Sequence, residues 1–264
     1  MQPAFSVIFL TTLIGAAQGL FLALYGTELI GLGGLDPADS QRFLVNGSAV
    51  ALVLSALGLV ASFFHLGHPE RAWRSAAMWR TSWLSREVIA LPLFMLGVFT
   101  YAGSHALGRG NTQLIGAATT LACMALFVCT AMIYASVRFL QEWASPLTLV
   151  NYLLLGCASG LMLATLLAAL SGLSALVQPY ALATTAFTLL AWVTRGASLF
   201  RNARLKAKST LQSAIGIKHP RIVQKAQGFM GGSFNTREFF HGRSPVLLLT
   251  VKWGFLLLVF PLPL

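Results

Sequence analysis

Residues Trp143–Thr194 read WASPLTLVNYLLLGCASGLMLATLLAALSGLSALVQPYALATTAFTLLAWVT and contain no Asp, Glu, Lys or Arg. About 20 apolar residues cross the hydrocarbon of a bilayer, so this stretch is long enough for two crossings. Within it SGLSALVQP, residues 171–179, supplies a break through Gly172 and Pro179. Inside hydrocarbon no water is available to satisfy open N–H and C=O groups, so both crossings are expected to be helices, at 147–170 and 178–199.

The same pattern extends in both directions. Apolar runs at 5–30, 43–64, 88–108, within 110–137, and at 245–263 give five more spans, the last interrupted only by Lys252. The predicted fold is therefore all-α, a polytopic transmembrane helix bundle of about seven spans forming one integral membrane domain over residues 1–264. Composition agrees: of 264 residues 56% are hydrophobic and only 9% charged, against roughly a quarter charged in soluble domains. The formal charge of +11 points to basic membrane loops and not to nucleic acid. The N-terminus, MQPAFSVIFL, has no basic region ahead of its apolar run and reads as the start of the first span, not a cleaved signal. The sequence ends abruptly at PLPL, so further chain beyond it would be no surprise. Cys123, Cys129 and Cys157 all lie in apolar runs and form no CxxC pair. They read as small buried hydrophobes, with no metal site expected in this chain.

Alternating spans sort the loops onto two sides. Side A, the side of the N-terminus, carries 65–87, 138–146 and 200–244. Counting Arg195, it holds 15 of the 18 Lys and Arg. Side B holds only Arg42 and Arg109. Cytoplasmic loops concentrate Lys and Arg, so side A is predicted to be cytoplasmic, in the inner membrane of a bacterium.

The first basic loop gathers most of the polar chemistry. HLGHPERAWRSAAMWRTSWLSREV, His65–Val88, holds His65 and His68, Arg71, Arg74, Arg80 and Arg86, Glu70 and Glu87, and Trp73, Trp79 and Trp83. Trp and Arg at a membrane surface are ordinary anchors, and Glu87 suits a helix start, with Ser85 as its expected N-cap. The crowding favours a site. A quinone head group needs donors for two carbonyl oxygens, a proton carrier near neutral pH and apolar walls for its tail. On this chemistry His65 exchanges the proton, Arg71 and Arg86 offer positive charge to a reduced quinone, and Glu87 orients His65 or takes its proton. His68, Ser85, Trp73 and Lys252 are additional candidates.

HLGHPERAW followed by WLSREV also resembles the HLG-x-P-x-R-A … LS-x-E segment of the membrane anchor subunit of dimethyl sulfoxide reductase. The resemblance is most specific from span two to the start of span three. It implies a three-subunit oxidoreductase. A molybdopterin catalytic subunit and a ferredoxin-like subunit with four iron–sulfur clusters would be held at the membrane by this chain, which exchanges electrons with ubiquinone or menaquinone. It places the family's quinol-site His on His65, the family Arg on Arg71, and LS-x-E on Ser85 and Glu87. Arg86 rests on chemistry alone, and His68 stands where the family varies.

The second basic loop, RNARLKAKSTLQSAIGIKHPRIVQKAQGFMGGSFNTREFFHGR at 201–243, is too long to be an idle connection. Leu205, Leu211, Ile215, Ile222, Val223 and Phe229 recur within its basic pattern, as in a helix lying on a membrane or offered to a soluble partner. With Arg74 and Arg80, the residues Arg204, Lys206, Lys208, Lys218, Arg221 and Lys225 are the expected docking surface for the iron–sulfur subunit. Its KHPRIVQKAQGFMGGSFNTREFFHG resembles the anchor of the quinone-linked sulfite dehydrogenase complex, a branch of the same family. That implies sulfite oxidation to sulfate in the catalytic partner. The alternative is the anchor of a dimethyl sulfoxide or related reductase that oxidises menaquinol.

No covalent cofactor is expected. A haem b would need facing axial His residues; His65 or His68 with His241 is the one pairing available, because His105 lies toward side B. A membrane transporter is the competing class, but it calls for charged or broken helices at mid-membrane, where these spans are plain.

Overall fold

Gly172 sits at φ +72, in the left-handed region that a residue without Cβ adopts at little cost, and it ends one helix within the charge-free stretch. The computed structural model describes residues 5–64, 66, 68–108, 110–138, 140–206, 211–222 and 244–263. Eight α-helices lie among them: α1 Phe5–Ile30, α2 Pro37–Phe63, α3 Trp83–Leu107, α4 Thr112–Ala135, α5 Pro146–Leu170, α6 Ser174–Ala203, α7 Leu211–Ile215 and α8 Pro245–Leu258. No strand occurs among the described residues. Helices α1 to α6 are each long and apolar enough to cross a membrane. The shorter α8 has 14 residues, about 21 Å of helix, and the chain continues in turns through residue 263. The molecule is an all-α polytopic bundle of about seven spans.

Several boundaries differ from the sequence expectation, each for a local reason. Helix α2 starts at Pro37, not 43, because Pro is tolerated at the first helical position and the first turns keep Asp39, Gln41 and Arg42 at the surface. Helix α3 starts at Trp83, and its N-cap is Ser82, not Ser85. The Ser82 hydroxyl accepts from the Ser85 N–H at 3.4 Å, while Ser85 is buried one turn inside the helix. Amphipathic interfacial residues extend the helix ahead of its apolar run. Pro179 does not mark the break: α6 begins at Ser174 and runs through it. So early in the helix the ring removes one hydrogen bond without ending the helix. The surface helix expected across 200–244 reduces, among the described residues, to the five-residue α7; Val223 and Phe229 lie outside them.

Helix α1 is the hub and packs against α2, α4 and α5; α3 packs on α4, and α6 on α5. Contact between α1 and α5 is made by small residues. A Cβ on Gly19 would stand 2.8 Å from the Gly156 carbonyl carbon and 2.9 Å from Cys157 Cα, and one on Gly160 would enter the backbone of Gly19 and Leu20. Gly15, Gly19, Gly156 and Gly160 thus make a small-xxx-small stripe on both helices, which lets dispersion act at short range where lipid is as apolar as the protein. Across the hub, fully buried Gln18 donates from Nε2 to the Cys123 carbonyl of α4 at 2.8 Å. All three cysteines are buried thiols. Phe21 meets Phe94 and Tyr101 edge-on at centroid separations of 5.9 and 5.5 Å. Helix α8 rests on α6 through Leu256 and Phe260 against Ala191.

Candidate functional site at the side A end of the bundle

After Phe64 the chain leaves α2, turns through a 3-10 segment at Pro69–Ala76 and re-enters as α3. Glu87 lies in the second turn of α3 and faces inward, at 7% exposure. Its Oε1 accepts from the Thr130 hydroxyl of α4 at 2.5 Å. Among the described residues Oε2 has no hydrogen-bond partner, and no cation pairs with this carboxyl group. Around it stand Tyr134 and Cys129 of α4 and Tyr152 of α5, all within electrostatic reach of the carboxylate. The Tyr152 hydroxyl donates to the Thr11 carbonyl at 3.2 Å, tying α5 to α1. Tyr134 meets Trp143 edge-on at 5.4 Å. The result is a carboxyl group in a largely apolar setting, one oxygen held by a hydroxyl and one open, near the membrane surface. Such a group can accept, hold and return a proton.

The neighbouring Arg86 points elsewhere. Its Nε donates to the Trp79 carbonyl at 2.9 Å and its Nη2 to the Arg80 carbonyl at 2.8 Å, and its guanidinium covers Trp83 at 4.2 Å. It ties down the turn ahead of α3. His68 and Arg71 lie on the outer surface and share Glu70, at 3.0 and 3.8 Å. Trp73 is 75% exposed. Arg74 is exposed, as is Arg80 beside the Trp79 ring. His65 lies outside the described residues. An apolar groove of about 420 Å³ between α1 and α2 is lined by Ser6, Phe9, Leu13, Leu57, Val60, Ala61 and Phe64, and so ends next to that histidine in sequence. At 100° per residue, Ser6, Phe9 and Leu13 stand on the face of α1 opposite Thr11, so α1 separates the groove from the Glu87 cluster.

The rest of side A forms a basic platform. Both Nη atoms of Arg201 donate to the Gln141 carbonyl at 3.1 Å, and Gln141 donates to the Lys206 carbonyl at 3.2 Å, so the 140–145 loop is bound to the end of α6. Arg204 stacks over Phe200 at 3.8 Å. Lys206, Lys218 and Arg221 are exposed. Lys208 and Lys225 lie outside the described residues. Of the three histidines considered for haem, His65 and His241 also lie outside them, and His68 is exposed beside Glu70. Lys252 is exposed on α8, with its Nζ 5.9 Å from the Trp253 ring.

A second polar cluster closes side B. Glu28 of α1 accepts from Tyr101 at 2.6 Å and Thr112 at 2.5 Å, and His105 Nε2 stands 3.5 Å from Glu28 Oε1, too poorly aligned for a hydrogen bond. Gln41 of α2 donates to the His105 carbonyl at 2.6 Å. In the sequence Glu28 and His105 stand out only singly, with nothing to join them. Thr130, Tyr134 and Tyr152 do not stand out at all, since their only signal is a polar atom in an apolar run.

The family model described as DMSO reductase anchor subunit (DmsC) matches residues 1–219. The chain belongs to this anchor family. A sulfite dehydrogenase subunit from Allochromatium vinosum is 56% identical over 276 aligned positions that take in 100% of this chain and 85% of the relative. No solved structure matches. As a DMSO reductase-type anchor, the chain is a membrane subunit of an oxidoreductase complex of the molybdoenzyme class. Its long apolar helices are what a membrane anchor requires.

Proposed function

We propose that this anchor binds quinone at the side A end of α3 and α4 and passes electrons between a ferredoxin-like iron–sulfur subunit and the quinone pool, while a molybdopterin subunit oxidises sulfite to sulfate. The observation that carries the reading is Glu87: buried, held by Thr130, without a cation partner among the described residues, and with Oε2 open. It sits in the segment whose sequence resembles the family's quinol site. Quinone supplies two-electron, two-proton chemistry. Glu87 holds or moves the proton at Oε2, Thr130 fixes the carboxyl plane, and Tyr134 and Tyr152 keep the setting low in water. His65, by its place in HLG, is the second proton-exchanging group. Arg71 belongs to the site by motif. Arg86 serves it by fixing the turn that carries Glu87. The basic platform receives the iron–sulfur subunit, and side A faces the cytoplasm of a bacterial inner membrane. The sulfite assignment is supported by the 56% identical relative; the family description favours a second reading, menaquinol oxidation by a reductase complex.

The test is Glu87→Gln in the assembled complex. Quinone-coupled turnover is expected to fall about 10²-fold, the scale of a lost acid–base group, while turnover with an artificial electron dye is unchanged. Undiminished quinone turnover overturns the assignment. Turnover with sulfite, and not with sulfoxide and menaquinol, separates the two readings.

A further inference from the structure

Two cations stand inside the bilayer-facing part of the molecule with no anion beside them among the described residues. Arg195 of α6 is partly buried; its Nε is shut away with no acceptor, and neither Nη donates to any described group of the chain. The Phe255 ring of α8 lies 5.7 Å from its Cζ. Lys252 of α8 forms no ion pair among the described residues and lies against the Trp253 ring, at 5.9 Å.

The register of α6 and α8 brings the two cations together. The helices run antiparallel: Trp192 stacks on Phe260 at 6.5 Å, and Arg195 meets Phe255. One turn back along α8 from Phe255, Lys252 is level with Leu199, one turn from Arg195 toward side A, or about 6 Å along the axis. The depth follows from α5. Asn151 lies about 8 Å below the start of that helix and donates to Ser198 at 2.7 Å, while Thr194 donates to it at 2.9 Å. Arg195 is therefore roughly 10 Å below the side A start of α5, where a long side chain can still lift its charge to the head-group layer.

An unpaired guanidinium at that depth is costly and marks a site by default. The chemistry selects the anion. The two Nη groups of one guanidinium form a fork that fits two oxygens of a phosphate, and an ammonium one turn nearer the surface adds a point charge. No carboxylate of the described chain approaches either group. The contact between α6 and α8 borders lipid along α8, whose outward face is apolar: Leu249, Leu257 and Leu258 are exposed.

We propose that Arg195 and Lys252 form a binding site for the phosphate of an anionic phospholipid of the side A leaflet, seated where α6 meets α8. The lipid braces the short α8 against α6, which it otherwise touches through few side chains.

The test uses the full chain, delipidated in neutral detergent and titrated with phosphatidylglycerol, with lipid-bound protein read by native mass spectrometry. Replacing both cations (Arg195→Gln with Lys252→Gln) should raise the dissociation constant at least about tenfold. Arg195→Lys, which keeps the charge but loses the fork, should bind more weakly than the parent and more tightly than the double variant. Phosphatidylcholine should bind the parent no better than the double variant. If the double variant does not fold, Lys252→Gln alone, on an exposed position, should still weaken phosphatidylglycerol binding several-fold. Equal phosphatidylglycerol binding by parent and folded double variant overturns the proposal. Displacement of the lipid by millimolar inorganic phosphate overturns it in favour of a free-anion site. Loss of the co-purifying iron–sulfur subunit with unchanged lipid binding overturns it in favour of a protein contact.

Discussion

At the scale of single residues, Glu87 and Arg86 divide a role that their adjacency in sequence suggests they share. Successive helical residues are 100° apart, so one faces the bundle and the other the turn it secures. Arg86→Lys keeps a charge but cannot reproduce the two-pronged contact with the Trp79 and Arg80 carbonyls. It is expected to cost about 1–2 kcal/mol of stability, measured by thermal unfolding of the complex in detergent. Quinone turnover should fall far less than in Glu87→Gln; an equal fall would make Arg86 a direct quinone contact. Glu87 was legible in the sequence because a carboxylate beside a His-Arg loop is conspicuous. Its partner Thr130, 43 residues away, was not. A threonine in an apolar span carries no mark of what it faces.

Among the elements, the α1–α5 contact sets the spacing of the bundle. Gly160→Val would drive two methyl groups into the backbone of Gly19 and Leu20, which, unlike a flexible side chain, cannot swing aside. The expected outcome is a loss of several kcal/mol, above the roughly 1–3 typical of overpacking, seen as failure to accumulate folded protein in the membrane. Gly26→Ala on the same α1 meets nothing within 4 Å and should leave the melting temperature no lower, since Ala favours the helix. The helices themselves were legible, because about 20 apolar residues in lipid leave the backbone no alternative. Their ends were less so. Ser82, Trp83 and Pro37 extend helices into the interface, where hydropathy no longer reports on helix content. Pro179 was a misleading signal: it removes one hydrogen bond inside α6, and the helix runs through it all the same.

For the whole molecule, the test is orientation. Asp36→Cys on side B and Gln212→Cys on side A both place a thiol at an exposed position, while Cys123, Cys129 and Cys157 are buried. If side A is cytoplasmic, a membrane-impermeant thiol reagent added to intact cells should label the Asp36 variant, and the Gln212 variant only after permeabilisation. The reverse pattern would invert the topology and move the proposed docking surface to the other face. The sequence alone determined the number and approximate extent of the spans, the sorting of cations to one side and the loop that carries the proposed quinone chemistry. Each follows from transfer free energies that act residue by residue. Tertiary structure alone decided which polar groups meet inside. Thr130 faces Glu87, Tyr101, Thr112 and His105 gather around Glu28, and Arg195 has no anion beside it among the described residues. Lateral packing of helices depends on close approach of small residues such as Gly19 and Gly160, and hydropathy, which measures each span against lipid, contains no information about which spans touch.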